Sequence, residues 1–237
     1  MHLKGIYPMV PTPFLDQGEI DYPSIQRLVE FMAQKKVHGQ AILGALGEGH
    51  KLTDQERTEV IARYRELLPK GMGLVVGVRA PATNPAMTMV HRARELGADA
   101  ILLGPHTVQK DAPLLEYYHQ VSDAAQIPCI IHDYPAVTGI TMTVALISRI
   151  FEISANIHYI KLEDPPTGMK MQALAETAGP GLKVFGALGG MYALEELELG
   201  AVGIMTGFVY AELLVQLFEL VQNHQLKRAA EHFYDFL

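Results

Sequence analysis

Two stretches of this chain are close copies of each other. Residues 94–104 read RELGADAILLG and residues 197–207 read LELGAVGIMTG. In both, a helix closes on a glycine and a short apolar run follows, which is how a helix hands over to a buried strand. The same cycle of apolar run, Gly/Pro/Asp punctuation and amphipathic helix recurs along the whole chain. Predicted strands are Gly5–Val10, Gln40–Ala45, Gly73–Val78, Ala100–Leu103, Pro128–His132, His158–Leu162, Lys183–Gly186 and Gly203–Thr206. They are short and continuously apolar, as parallel strands covered on both faces must be. Eight such units predict a (β/α)8 TIM barrel of class α/β. The rival, an open doubly wound sheet, calls for a Gly-rich phosphate turn after the first strand, and PTPFLDQGEI stands there instead.

Helix signals agree with this order. Ile25, Leu28, Val29 and Met32 share one face behind Asp21 as cap, and Thr53 with Glu56 forms a capping box. Asn84-Pro85 and Asp111-Ala-Pro113 put proline where a helix begins. With 237 residues, 49% of them hydrophobic, the chain suffices for one large core. The domain reading is a barrel over residues 1–223 and the start of a C-terminal helical extension over 224–237, whose stripe is Leu226, Ala230, Phe233 and Leu237.

Composition excludes several functions. A net charge of −7 without a basic cluster speaks against a nucleic-acid partner. Apolar stretches are broken before a membrane span is reached, so no membrane partner is expected. The single cysteine, Cys129, lies in an apolar run as a buried, inert thiol. Prolines 8 and 11 interrupt the N-terminus and no signal-peptide pattern is visible, so the expected location is cytoplasmic.

Barrel active sites form at the C-terminal ends of the strands. There, Lys161 stands between Ile160 and Leu162. An ammonium desolvated in such a run loses basicity, and a neutral amine can attack a ketone carbonyl to make an imine. The alternative is a structural ion pair with Glu163 or Asp164. His132 and Tyr134, two apart, share a strand face, and either can move protons. The second strand runs into Gly44, Ala45, Leu46, Gly47 and Glu48, where successive backbone N–H groups suit an anion. Gly186 and Met205, closing strands seven and eight, complete the candidate binding set.

The motifs GIYPMVPTPF, GALGEGHKLT, HDYPAVTG, YIKLED and VFGALGG, in that order, resemble those of the dihydrodipicolinate synthase/N-acetylneuraminate lyase family of class I aldolases. The resemblance covers nearly the whole chain. It implies that Lys161 forms the Schiff base, that the loop at Gly44–Glu48 receives a 2-oxo acid's carboxylate, that no metal or organic cofactor is used, and that the protein is a homo-oligomer, a dimer or tetramer. It also implies that most of the family's C-terminal helical region is missing, leaving a truncated chain or a helix covered by a partner subunit.

Departures from the family pattern narrow the reading. Two threonines of the carboxylate loop are Ala45 and Leu46 here, which removes a hydroxyl relay. The tyrosine after strand five falls at His132, lowering the working pKa from about 10 to about 6.5. An arginine used for a second carboxylate is Val137, and a tyrosine that reaches into a neighbouring subunit's site is absent from GPHTVQKD. These changes argue against dihydrodipicolinate synthase proper. They favour a class I lyase acting on a neutral-tailed 2-oxo acid, by retro-aldol cleavage or dehydration of a 2-keto-3-deoxy sugar acid. Two alternatives stay open: a non-catalytic barrel that binds a 2-oxo acid, and a metal-dependent aldolase using Glu163 and Asp164 with His132 and Asp133.

Overall fold

A computed structural model describes residues 2–235. Eight parallel strands form a (β/α)8 TIM barrel: β1 (Gly5–Ile6), β2 (Gly39–Ile42), β3 (Gly73–Val78), β4 (Ala100–Leu103), β5 (Cys129–Asp133), β6 (Ile157–Leu162), β7 (Lys183–Gly186) and β8 (Gly203–Ile204). Neighbours pair in sequence order, and β1 pairs with β8. The last seam closes where Met9 bridges Ala41, with the Val10 amide donating to the Ala41 carbonyl at 3.0 Å. Predicted and observed strands differ mainly at their ends. The first stave keeps hydrogen bonds to Val10 although its regular ladder stops at Ile6, because Pro8 has no N–H to give. The second ends at Ile42, since Leu43 turns away at φ 57°.

Helices fill the connections: α1 (Tyr22–Gln34), α2 (Asp54–Leu67), α3 (Thr83–Glu95), α4 (Asp111–Ala125), the single turn α5 (Pro135–Thr138), α6 (Val144–Ile153), α7 (Thr167–Thr177), α8 (Ala193–Glu198), α9 (Ala211–Gln222) and α10 (Leu226–Tyr234). Asp21 caps α1 through the Ser24 amide, and the Thr53–Glu56 box caps α2 with both reciprocal bonds made. Gly97 and Gly200, the glycines of the repeated phrase, leave their helices at φ 89° and 96°, where a side chain would be strained.

Side-chain alternation builds two nested cores. One face of each strand, with residues such as Val76, Ile101, Ile131 and Ile160, packs against the helices. The other face fills the barrel with Tyr7, Val75, Leu102, Ile130, Tyr159, Phe185 and Met205. Tyr7 and Phe185 meet edge-on at 5.7 Å, and the Tyr159 hydroxyl accepts from the Leu3 amide at 3.1 Å, so the N-terminal end is plugged. Cys129 is fully buried, and burial pushes its thiol up to about 12. Among the described residues, no helix is long and apolar enough to cross a membrane.

At the C-terminus α10 packs on α9 and α8. Its buried face is Ala229 and Phe233, one turn apart, with Ala230 half-covered. Leu226, expected on that stripe, faces solvent instead, because the helix is rotated to seat Ala229 against its neighbours. Leu237 lies outside the described residues.

Candidate active site

The period-two alternation that fills the barrel also sets its mouth. Along β6, Tyr159 points inward, and so do Lys161 and then Glu163 just beyond the strand. Along β5 the same holds for Ile130, His132 and, past the strand end, Tyr134. Register places His132 beside Lys161 on the neighbouring stave. The two side chains therefore meet: Lys161 Nζ lies 3.3 Å from His132 Nε2. Glu163 Oε2 accepts from Lys161 Nζ and lies 2.9 Å from His132 Nε2. Tyr134 closes the group, its ring centre 5.7 Å from Lys161 Nζ and 5.7 Å from the His132 ring.

Electrostatics follow from burial. Lys161 is only 3% exposed. Desolvation lowers its pKa below the ordinary lysine range, and the Glu163 carboxylate opposes that without cancelling it. Burial also pulls His132 down to about 4, helped by the charge on Lys161, so the imidazole is neutral at pH 7. Burial would raise the Glu163 carboxyl, but Lys161 and His132 outweigh it and hold it at about 2. Burial lifts the Tyr134 hydroxyl above its ordinary value, with Glu163 adding to the effect, so it keeps its proton.

These groups open on a cavity of about 490 Å³, walled also by Met9, Ala45, Leu46, His50, Val137 and Thr206. Of the predicted binding residues, Ala45 and Leu46 lie on this wall, and Gly44 lines an adjoining cavity. Among the described residues, the Ala45 and Leu46 amides donate to no protein acceptor. Thr12 pins the loop by donating to the Gly47 carbonyl at 2.6 Å.

Four predicted positions stand off the cavity. Gly47 is buried beneath the loop, where a Cβ would come within 2.8 Å of the Leu43 amide. Glu48 turns outward and pairs with Lys51 at 2.6 Å. Gly186 faces α8, and a Cβ there would lie 1.9 Å from Glu196 Oε2. Met205 faces inward but lies too deep, packed in the barrel core with Phe185. The acidic pair considered for a metal is split by the same alternation. Glu163 turns to Lys161, whereas Asp164 and Asp133, at the parity opposite to His132, share Lys170, at 2.8 and 2.6 Å. Among the described residues, no group of three or more His, Cys, Asp or Glu is placed to hold a metal.

Motif spacing leaves two residues of this region unassigned. It offers Glu163 only as an ion-pair or metal partner, yet Glu163 touches both Lys161 and His132. Arg79 stands outside every motif. It follows the apolar run of β3 at the inward parity of Val75 and Gly77, which is the signal that could have found it.

Fold and site together define an α/β barrel whose C-terminal mouth is built around a buried lysine. The chain belongs to the dihydrodipicolinate synthetase family, whose sequence profile matches residues 2–235. Members of this family are lyases. An L-2-keto-3-deoxyarabonate dehydratase from Azospirillum brasilense is 31% identical over 212 residues, covering 86% of this chain and 68% of that protein. A 4-hydroxy-tetrahydrodipicolinate synthase from Methanococcus maripaludis is 27% identical over 165 residues, 69% of this chain. That match spans only 57% of the synthase's own length. The crystal structure of dihydrodipicolinate synthase from Rhodopseudomonas palustris superposes with a TM-score of 0.89 at 31% identity, covering 98% of this chain and 79% of that one.

Proposed function

We propose that the protein is a class I lyase in which Lys161 forms an imine with C2 of a 2-oxo acid, and that its reaction is retro-aldol cleavage or dehydration of a 2-keto-3-deoxy sugar acid. The observation that carries this reading is the Lys161 amine, buried at the mouth, depressed in basicity and open to a cavity large enough for such an acid. The similar dehydratase from A. brasilense supports the substrate class.

The chemistry follows from the contacts. The neutral Nζ attacks C2, and the carbonyl oxygen takes up two protons and leaves as water, giving an iminium ion. That cation draws electrons from C3. In dehydration a base removes a C3 proton, and the C4 hydroxyl is protonated and departs as water. In cleavage the C4 hydroxyl loses its proton and the C3–C4 bond breaks. Neutral His132 is the base within reach, and protonated Tyr134 is a donor on the same side. The unpartnered Ala45 and Leu46 amides receive the substrate carboxylate, a role that needs backbone N–H groups and no hydroxyl. Water then hydrolyses the product imine and frees Lys161.

A barrel that binds a 2-oxo acid without turnover is the second reading, favoured by the loss of hydroxyls at Ala45 and Leu46. Proton exchange separates the two. Imine formation makes the methyl protons of pyruvate labile, so incubation in D₂O is expected to deuterate the methyl group, as read by proton NMR. Pyruvate that broadens or shifts on binding but keeps its methyl protons would favour the non-catalytic reading.

A further inference from the structure

The mouth cavity does not end at His132. A second cavity of about 160 Å³ shares Ala45, His50, His132 and Val137 with it and extends beneath the ends of β3 and β4. Arg79 lines that extension, and it also lines a third, open cavity of about 500 Å³ that shares His50 with both. The cavity that holds Lys161 and the one that holds the Arg79 guanidinium thus adjoin at His132.

Arg79 lacks the partner that half-buried arginines ordinarily have. Among the described residues, no carboxylate lies within 4.0 Å of it. Its one hydrogen bond runs from Nη2 to the Thr138 carbonyl at 3.1 Å, and its stem rests on Gly104. Among the described residues, the other N–H groups of the fork have no protein acceptor, and the side chain lines both cavities. Its field reaches His132, where it adds to the lowering of the imidazole's pKa. An unpaired planar cation on the wall of a cavity is a receptor for a carboxylate or phosphate, which it can grip through two parallel hydrogen bonds.

Position settles which end of a substrate it meets. The carboxylate at C1 is one bond from the imine carbon and must stay beside Lys161 and the Ala45 amide. Arg79 is absent from the wall of the Lys161 cavity and lines the adjoining one beyond His132, which places it for the end of a substrate away from C1. The bond to Thr138 ties the guanidinium to the end of the single turn α5.

We propose, on the basis of the imine reading above, that Arg79 is a specificity-determining binding residue and that the preferred 2-oxo acid carries a second anionic group at the end remote from C1. This revises the neutral tail expected from Val137. Two tails fit the chemistry, a carboxylate and a phosphate ester.

Calorimetric titration of the Lys161→Ala protein tests this whether or not the imine reading holds, since that variant makes no covalent bond. The probes are three six-carbon 2-keto-3-deoxy acids, ending in a hydroxymethyl group, a carboxylate or a phosphate. At least one anionic tail is expected to bind tenfold or more tightly than the hydroxymethyl compound, about 1.4 kcal/mol. Whichever anion binds best identifies the source. Adding Arg79→Met should bring the ratio close to one, and Arg79→Lys should keep part of it. Equal affinities for all three tails, or a preference that survives Arg79→Met, would overturn the assignment. Absence of a borohydride-trapped adduct in the unaltered protein would count against the imine alone.

Discussion

Lys161 is held between two opposed influences, and the balance decides its reactivity. Desolvation favours the neutral amine, while Glu163 favours the ammonium. Glu163→Gln is therefore expected to lower the pKa of Lys161 further, because the group that raised it is gone. The pH midpoint for borohydride trapping of pyruvate, which reports neutral amine, should move down; an upward move would contradict this account of the pair. His132 belongs to the same cluster, and with its pKa pulled down to about 4 it is neutral at pH 7. His132→Asn should cut turnover about 10²–10⁴-fold while adduct formation on Lys161 persists, as measured by steady-state rates beside trapping yields. Equal loss of both would make His132 a structural prop. The inward parity of Lys161, His132 and Tyr134 was legible in the sequence because strand side chains alternate with period two. Depth along the barrel was not, since it depends on how the strands are staggered. Hence Met205 has the right parity and the wrong level.

At the scale of elements, β7 and α8 show what a closing glycine can be for. Gly186 leaves the space occupied by Glu196, whose carboxyl group burial raises to about 7. A carboxyl group whose folded pKa is raised stabilises the fold fully below its ordinary value near 4.5, and that contribution is lost as pH rises through 7. Glu196→Gln fixes the neutral form. Its melting temperature should exceed that of the unaltered protein by a few degrees at pH 8 and match it near pH 4.5; a gap independent of pH would contradict the assignment. Gly186→Ala should destabilise by about 1–3 kcal/mol in denaturant unfolding, as overpacking does. Strand centres and helix caps were readable from local chemistry, the Thr53–Glu56 box being the clearest. Strand ends were not, because Leu43 leaves β2 in a left-handed conformation that no apolar pattern announces.

For the molecule as a whole, the repeated phrase at Gly97 and Gly200 carried the architecture, since eight like units leave few ways to bury eight apolar strands. It could not say what the mouth contains. That depends on residues far apart in sequence, Arg79, His132 and Lys161 among them, meeting only when the barrel closes between Val10 and Ala41. The central claim is covalent: a 2-oxo acid is activated as an imine on this lysine. Its most direct test is reduction with borohydride in the presence of pyruvate, followed by mass mapping of the peptides, with a chelator present throughout. The account predicts a single reduced pyruvyl adduct on the peptide containing Lys161, undiminished by the chelator and absent from Lys161→Ala. An unmodified Lys161 peptide, or an adduct that forms equally well in Lys161→Ala, would contradict it.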